Sequence, residues 1–198
     1  MQSKKENFLK DLKKIINSEY EIKKLIRLKI SLNDEIISEL ALNEIYVGSK
    51  KPYNMSRYIL KINNESEIQK SSGILIGTPS GSNAWIKSAG GKIIKNGFEY
   101  IVREPYNRKL SSHTFTQGIL NNETIEIKSL MDDGIFVIDS LSKEYDFKKD
   151  DILKIKKGMP LNYIIIKKWK ARQRMDIKTI QKLPWAFLHS APLKAPIY

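Results

Sequence analysis

The sequence predicts a mainly β domain, built as a β-sandwich-like stack of short strands. One helix precedes it, and one short helix follows a Gly-rich loop. Three observations carry this prediction. Short apolar runs with a two-residue period recur between turn residues from about residue 21 to residue 169, which is the signature of a sandwich. No alternation of strand and helix follows residue 20, which argues against a doubly wound sheet. Residues 4–17 instead place Phe8, Leu9, Leu12, Ile15 and Ile16 at helical spacing with lysines opposite, the pattern of an amphipathic helix.

The elements follow in order. Ser18 to Tyr20 breaks the first helix, and Glu21 to Leu32 then alternates apolar and polar residues. Ile36 to Val47 carries a second such segment, and Ser56 to Ile62 (SRYILKI) a third. Asn63-Asn64 marks a turn that leads into Glu67 to Lys70. Gly73 to Gly77 (GILIG) reads as a short buried strand. A polar, Gly-rich stretch, Thr78 to Gly91, follows it and turns helical from about Ala84. Tyr100 to Arg103, Thr124 to Ser129, Gly134 to Asp139, Ile152 to Lys156 and Tyr163 to Trp169 complete the strands. These readings divide the chain into a connector helix over residues 1–18, a β-rich domain over 19–169 and a basic, Pro-containing extension over 170–198.

Bulk properties narrow the function classes. The chain has 198 residues, 41% of them hydrophobic and 29% charged, a globular balance with enough length for a real core. It has no cysteine, so disulfides and thiolate metal sites are excluded. No run of 18 apolar residues spans a membrane and Met1 to Lys14 lacks a signal-peptide core, so a cytoplasmic location is expected. The net charge is +13. It admits a polyanion-binding role, but the lysines are scattered, as on an ordinary solvated surface. Lys167, Lys168, Lys170, Arg172 and Arg174 form the one cluster. His113 and His189 are the only histidines; neither has a partner at metal-ligand spacing, so both read as surface residues.

The chemistry concentrates in Gly73 to Gly91, GILIGTPSGSNAWIKSAGG. Glycines let backbone approach a ligand closely, and free amides and hydroxyls at a helix start suit anions and hydroxyl-rich ligands. The residues fit equally well a Ser/Thr/Gly loop that merely caps a helix. No Gly-Lys-Ser/Thr follows the glycines, so this is not a Walker A loop.

This stretch resembles the TPTGSTAYxxSAGG motif of NAD kinases, with Thr78, Pro79, Gly81, Ser82, Ala84, Ser88, Ala89, Gly90 and Gly91 in matching places. ALNEIYV at 41–47 is similar to the family's Asn-Glu/Asp signature, with Asn43 and Glu44 as its pair. SRY at 56–58 and Asp133-Gly134 with FVIDS match two further segments in family order. The wording is similar to a divergent bacterial, sugar kinase-like branch. The resemblance covers about residues 18 to 167 and implies the family's β-rich second domain. It implies that Asn43, Glu44, Thr78, Ser82, Asn83, Ala84, Trp85 and Ser88 bind NAD, the first two at the adenosine ribose. Trp85 stands where a Tyr is usual, Asn83 where a Thr is usual, and Ser72 where an Asp is common. Plain structural roles remain alternatives: a strand-edge pair for Asn43-Glu44 and core packing for Trp85. Arg103 and Glu104 read as a structural ion pair rather than a site edge.

The family's catalytic aspartate lies in a GGDG motif, and the sequence has Gly-Gly only at Gly90-Gly91. No catalytic residue is therefore assigned. The resemblance implies a fragment, one half of a split pair with a separate GGDG chain, or a degenerate homologue. It also implies NAD and ATP as ligands, Mg2+ accompanying ATP, and a homo-oligomer. Two other functions compete with the kinase reading. One is a non-catalytic nucleotide-binding or assembly module. The other, favoured less, is a nucleic-acid-binding domain.

Overall fold

The computed structural model describes residues 7–106, 114–140 and 143–166. The chain divides into a larger unit, Ile22–Ile164, and a smaller one formed by Met1–Glu21 with Ile165–Tyr198. The described part of the smaller unit is chiefly the helix α1 (Phe8–Ile16), no residue of which is buried.

The larger unit is built on two antiparallel six-stranded sheets. The first contains β2 (Leu28–Leu32), β3 (Glu35–Ile36), β5 (Ser56–Ile62), β6 (Glu65–Ser71), β10 (Ile125–Ser129) and β13 (Ile152–Lys157). Its spatial order is β3-β2-β13-β10-β5-β6. The second contains β4 (Glu44–Ser49), β7 (Ile74–Gly77), β8 (Phe98–Val102), β9 (Gln117–Leu120), β11 (Gly134–Ile138) and β12 (Glu144–Phe147), in the order β12-β11-β4-β7-β8-β9. A separate two-stranded sheet pairs β1 (Tyr20–Leu25) with β14 (Leu161–Ile166).

The two-residue period read in the sequence is the period of burial. Ile45 and Val47 of β4, Tyr58 and Leu60 of β5, Ile74 and Ile76 of β7, Ile125 and Ile127 of β10, and Leu153 and Ile155 of β13 share one core cluster. Each such aliphatic side chain contributes about 1.5–3 kcal/mol when fully removed from water. The opposite face of the first sheet carries solvated charge: Lys61 pairs with Glu126 at 3.8 Å, Lys128 with Asp150 at 3.0 Å and Lys154 with Asp34 at 2.6 Å. Exposed pairs of this kind add little stability.

Some boundaries differ from the sequence reading. The run Glu21 to Leu32 splits into β1 and β2. The run Ile36 to Val47 keeps only the last residue of β3, Ile36, and the start of β4. Asn33 and Asp34 both adopt positive φ (51° and 68°) and reverse the chain there, so β3 folds straight back on β2. β9 and β12 were not foreseen; both lie at sheet edges, where alternation is weakly enforced. Among the described residues no helix is long and apolar enough to cross a membrane. His113, His189, Trp169, the 167–174 cations and the 170–198 extension lie outside the described residues.

Candidate functional site

The outward face of the second sheet holds the site. Alternation turns Ile45 and Val47 of β4 into the core and leaves Glu44 and Tyr46 on the other side. β7 sets Leu75 beside Tyr46, and β8 sets Ile101 beside Leu75. Leu75 and Ile101 form a small second core with Ile86, against which Tyr46, Trp85 and Ala89 pack. The helix α2 (Trp85–Ser88) thus lies over β7 and β8. Glu99, fully buried on the same face, accepts the Lys92 amide at 3.0 Å and the Gln117 side-chain amide at 2.7 Å, which fastens the segment after α2.

Beside α2, over β4 and β11, a pocket of about 330 Å3 remains open. Glu44, Tyr46, Trp85, Ile135, Val137, Ser140 and Glu144 line it. Tyr46 and Trp85 stack with centroids 5.5 Å apart and 23° between planes. The Tyr46 hydroxyl donates to the Ser72 carbonyl at 3.1 Å. Glu44 is only 6% exposed. Its Oε1 accepts the Ser140 hydroxyl at 3.0 Å, while Oε2 is buried and has no hydrogen-bond partner among the described residues. Burial raises the Glu44 pKa above its ordinary value, and the neighbouring Asp139 charge raises it further against the opposing effect of the Ser140 hydrogen bond. A buried carboxylate oxygen with a free lone pair, next to an aromatic wall, is built to accept a ligand O–H or N–H.

The Gly-rich turn sits close by. Thr78 donates its amide to the Asn43 carbonyl at 2.8 Å and its hydroxyl to the Leu42 carbonyl. Its Oγ1 also accepts the Ser80 amide at 3.1 Å. The Ser82 hydroxyl donates to the Pro79 carbonyl at 2.8 Å. Residues Gly81–Asn83 form a 3-10 turn before α2, so the helix begins at Trp85 rather than Ala84.

The structure therefore brings Asn43-Glu44 and the Thr78–Ser82 turn together, and puts Glu44 and Trp85 on the pocket wall. Thr78 and Ser82 are buried, with hydroxyls committed to backbone carbonyls. Asn83, Ala84 and Ser88 are exposed and Asn43 is half-buried; none of these four lines the pocket. Trp85 serves both readings, packing on the small core and walling the pocket. Arg103 does form the expected ion pair with Glu104, at 3.7 Å, and its guanidinium also sits 5.6 Å from the Trp85 ring centre.

Sequence reasoning missed Tyr46, Ile135, Val137, Ser140 and Glu144. Tyr46 was within reach, because it is two residues from Glu44 on the same strand. The other four arrive on the β11–β12 hairpin, and no local pattern ties that hairpin to β4. Among the described residues no group of three His, Cys, Asp or Glu side chains is placed to hold a metal ion.

A family model of the ATP-NAD kinase C-terminal domain matches residues 42–166. The chain belongs to the NAD kinase family, as its C-terminal domain. This NAD kinase domain is 31% identical over 166 residues to the bifunctional NADP phosphatase/NAD kinase of Methanocaldococcus jannaschii, covering 81% of this chain and 29% of that one. It is 32% identical over 144 residues to the NAD kinase of Methanosarcina mazei, covering 71% and 49% respectively. The chain thus matches less than half of the length of either relative. In fold it is similar to yeast NADH kinase solved with NADH, with a TM-score of 0.69 and 22% identity over 96% of this chain and 56% of that one. The Archaeoglobus fulgidus NAD kinase solved with ATP gives a TM-score of 0.63 at 25% identity, over 90% and 67%.

Proposed function

We propose that this chain supplies the NAD-binding domain of an NAD kinase. The reaction would transfer the γ-phosphoryl group of ATP to the 2'-hydroxyl of the adenosine ribose of NAD, giving NADP and ADP. The observation that carries this reading is the unpartnered, buried Oε2 of Glu44, set in a pocket beside the stacked Tyr46 and Trp85. A carboxylate there accepts a ribose hydroxyl, and the aromatic pair offers a flat wall to a ring. Asn43 adds a donor and an acceptor next to it. Thr78 ties the turn to the Leu42 carbonyl and Ser82 closes the turn on the Pro79 carbonyl, so both shape the border of the site. Asn83, Ala84 and Ser88 form the exposed border. The ligands with which the two similar kinases were solved, NADH and ATP, support a nucleotide in this fold.

Phosphoryl transfer rests on positioning and charge stabilisation. In this reading Glu44 and Asn43 orient the acceptor sugar, and no residue of this chain is assigned as the general base. Mg2+ would neutralise phosphate charge and would arrive with ATP. A cytoplasmic location and self-assembly into a homo-oligomer are part of the same reading.

Titration calorimetry with NAD tests it. Asn43→Ala and Ser82→Ala should each weaken NAD binding by about 1–3 kcal/mol, the effect of a lost buried hydrogen bond. Unchanged affinity in both variants removes the assignment. Binding of DNA or RNA that falls steeply with salt, in place of NAD binding, would favour a nucleic-acid role instead.

A further inference from the structure

We propose that the Asp139–Ser140 turn of the β11–β12 hairpin is a positioning device for residues 42–44, and through them for the pocket-lining Glu44. Its geometry is specific. One carboxylate, that of Asp139, accepts three successive backbone amides: Leu42 at 2.8 Å, Asn43 at 2.6 Å and Glu44 at 3.1 Å. The Asp139 amide donates back to the Glu44 carbonyl at 2.8 Å. The next residue, Ser140, places its hydroxyl on Glu44 Oε1 at 3.0 Å. The turn therefore fixes both the backbone and the side chain of Glu44, and leaves Oε2 as the free acceptor.

The turn is also conformationally unfavourable. Asp139 and Ser140 both adopt left-handed backbone, at φ 53° and 52°. Two consecutive non-glycine residues there are strained and persist only where their surroundings demand it. Here the demand is the four-bond clasp on residues 42–44. The same hairpin supplies Ile135, Val137, Ser140 and Glu144 to the pocket wall, so it builds the pocket and holds its acceptor in place. The inference rests on the proposed NAD-binding role of Glu44.

The test compares two tethers in the full chain. Asp151 makes a similar clasp on the first sheet, accepting the Lys148 amide and the Asn33 side-chain amide, each at 2.7 Å. It does not line the pocket. Asp139→Asn should weaken NAD binding at least tenfold by calorimetry. Asp151→Asn should leave affinity within twofold while lowering the unfolding temperature comparably. Hydrogen exchange at the amides of residues 42–44 should accelerate in Asp139→Asn and not in Asp151→Asn. Should Asp139→Asn fail to fold, Ser140→Ala decides, because it leaves the backbone clasp intact; it should weaken NAD three- to tenfold. NAD affinity within twofold of the unaltered chain in Asp139→Asn, or in Ser140→Ala where that variant decides, overturns the inference alone. So does an equal loss of affinity in Asp139→Asn and Asp151→Asn. If the unaltered chain takes up no NAD, the functional reading falls and this inference falls with it.

Discussion

Gly81→Ala is expected to abolish measurable NAD binding and to lower the unfolding temperature by several degrees. A methyl group at this position would lie 2.3 Å from the carbonyl oxygen of Asn43, 2.6 Å from its carbonyl carbon and 2.9 Å from its Cα. All three atoms are backbone, and Asp139 and Thr78 hold that backbone from two sides. No rotamer relieves the clash. The Thr78–Ser82 turn must lift away, losing its hydrogen bonds to Leu42 and Asn43. Overpacking together with those losses costs about 3 kcal/mol, or roughly 6–12 °C for a chain of this size. Gly90→Ala is the contrast: its methyl meets no atom within 4 Å, and only the backbone, at φ 92°, opposes it. Its effect should stay near 1 kcal/mol. Thermal unfolding and NAD calorimetry on both variants check this, and a Gly81→Ala chain with ordinary affinity would refute the close contact.

Glu44→Gln should separate binding from stability. At pH 7 it should weaken NAD at least tenfold, because a neutral amide is a poorer acceptor than a carboxylate. The same change should raise folding stability by about 1 kcal/mol, because ionised Glu44 is buried with one oxygen unpartnered. The pH dependence follows from the direction of its pKa, which burial lifts above 4.5 in the folded chain. The contribution of Glu44 to stability is whole below its unfolded value and is lost as pH rises through the folded one. The advantage of Glu44→Gln should therefore be small at pH 4 and grow toward neutrality. Unfolding curves from pH 4 to 8 measure it; a Glu44→Gln chain less stable than the parent at pH 7 would contradict the burial argument.

Much of this was legible in the residues. Period-two alternation located strands such as β5, which has one face in the core and one toward water, whereas β7 was legible as a short apolar run buried on both faces. The Asn43-Glu44 pair and the Gly-rich turn were visible as motifs, and their union across β4 and β7 is what the sheet register delivers. The edge strands β9 and β12 were not legible, since an edge needs no strict alternation. Nor was the role of Asp139: an Asp-Ser at the end of a strand signals a turn, but nothing local says that it grips amides 95–97 residues away. Nor does the loop's composition disclose that the hydroxyls of Thr78 and Ser82 donate to the Leu42 and Pro79 carbonyls.

The pocket wall and the hydrophobic interior occupy opposite sides of one sheet, and along β4 they alternate residue by residue. Ligand preference in such a domain can drift in evolution with little penalty to folding, because a change at Tyr46 or Val137 faces outward while Ile45 and Phe136 keep the interior filled. Descendants of a common ancestor could thus exchange acceptors while retaining an unaltered scaffold. The hairpin from Gly134 to Phe147 is where that divergence would be written first.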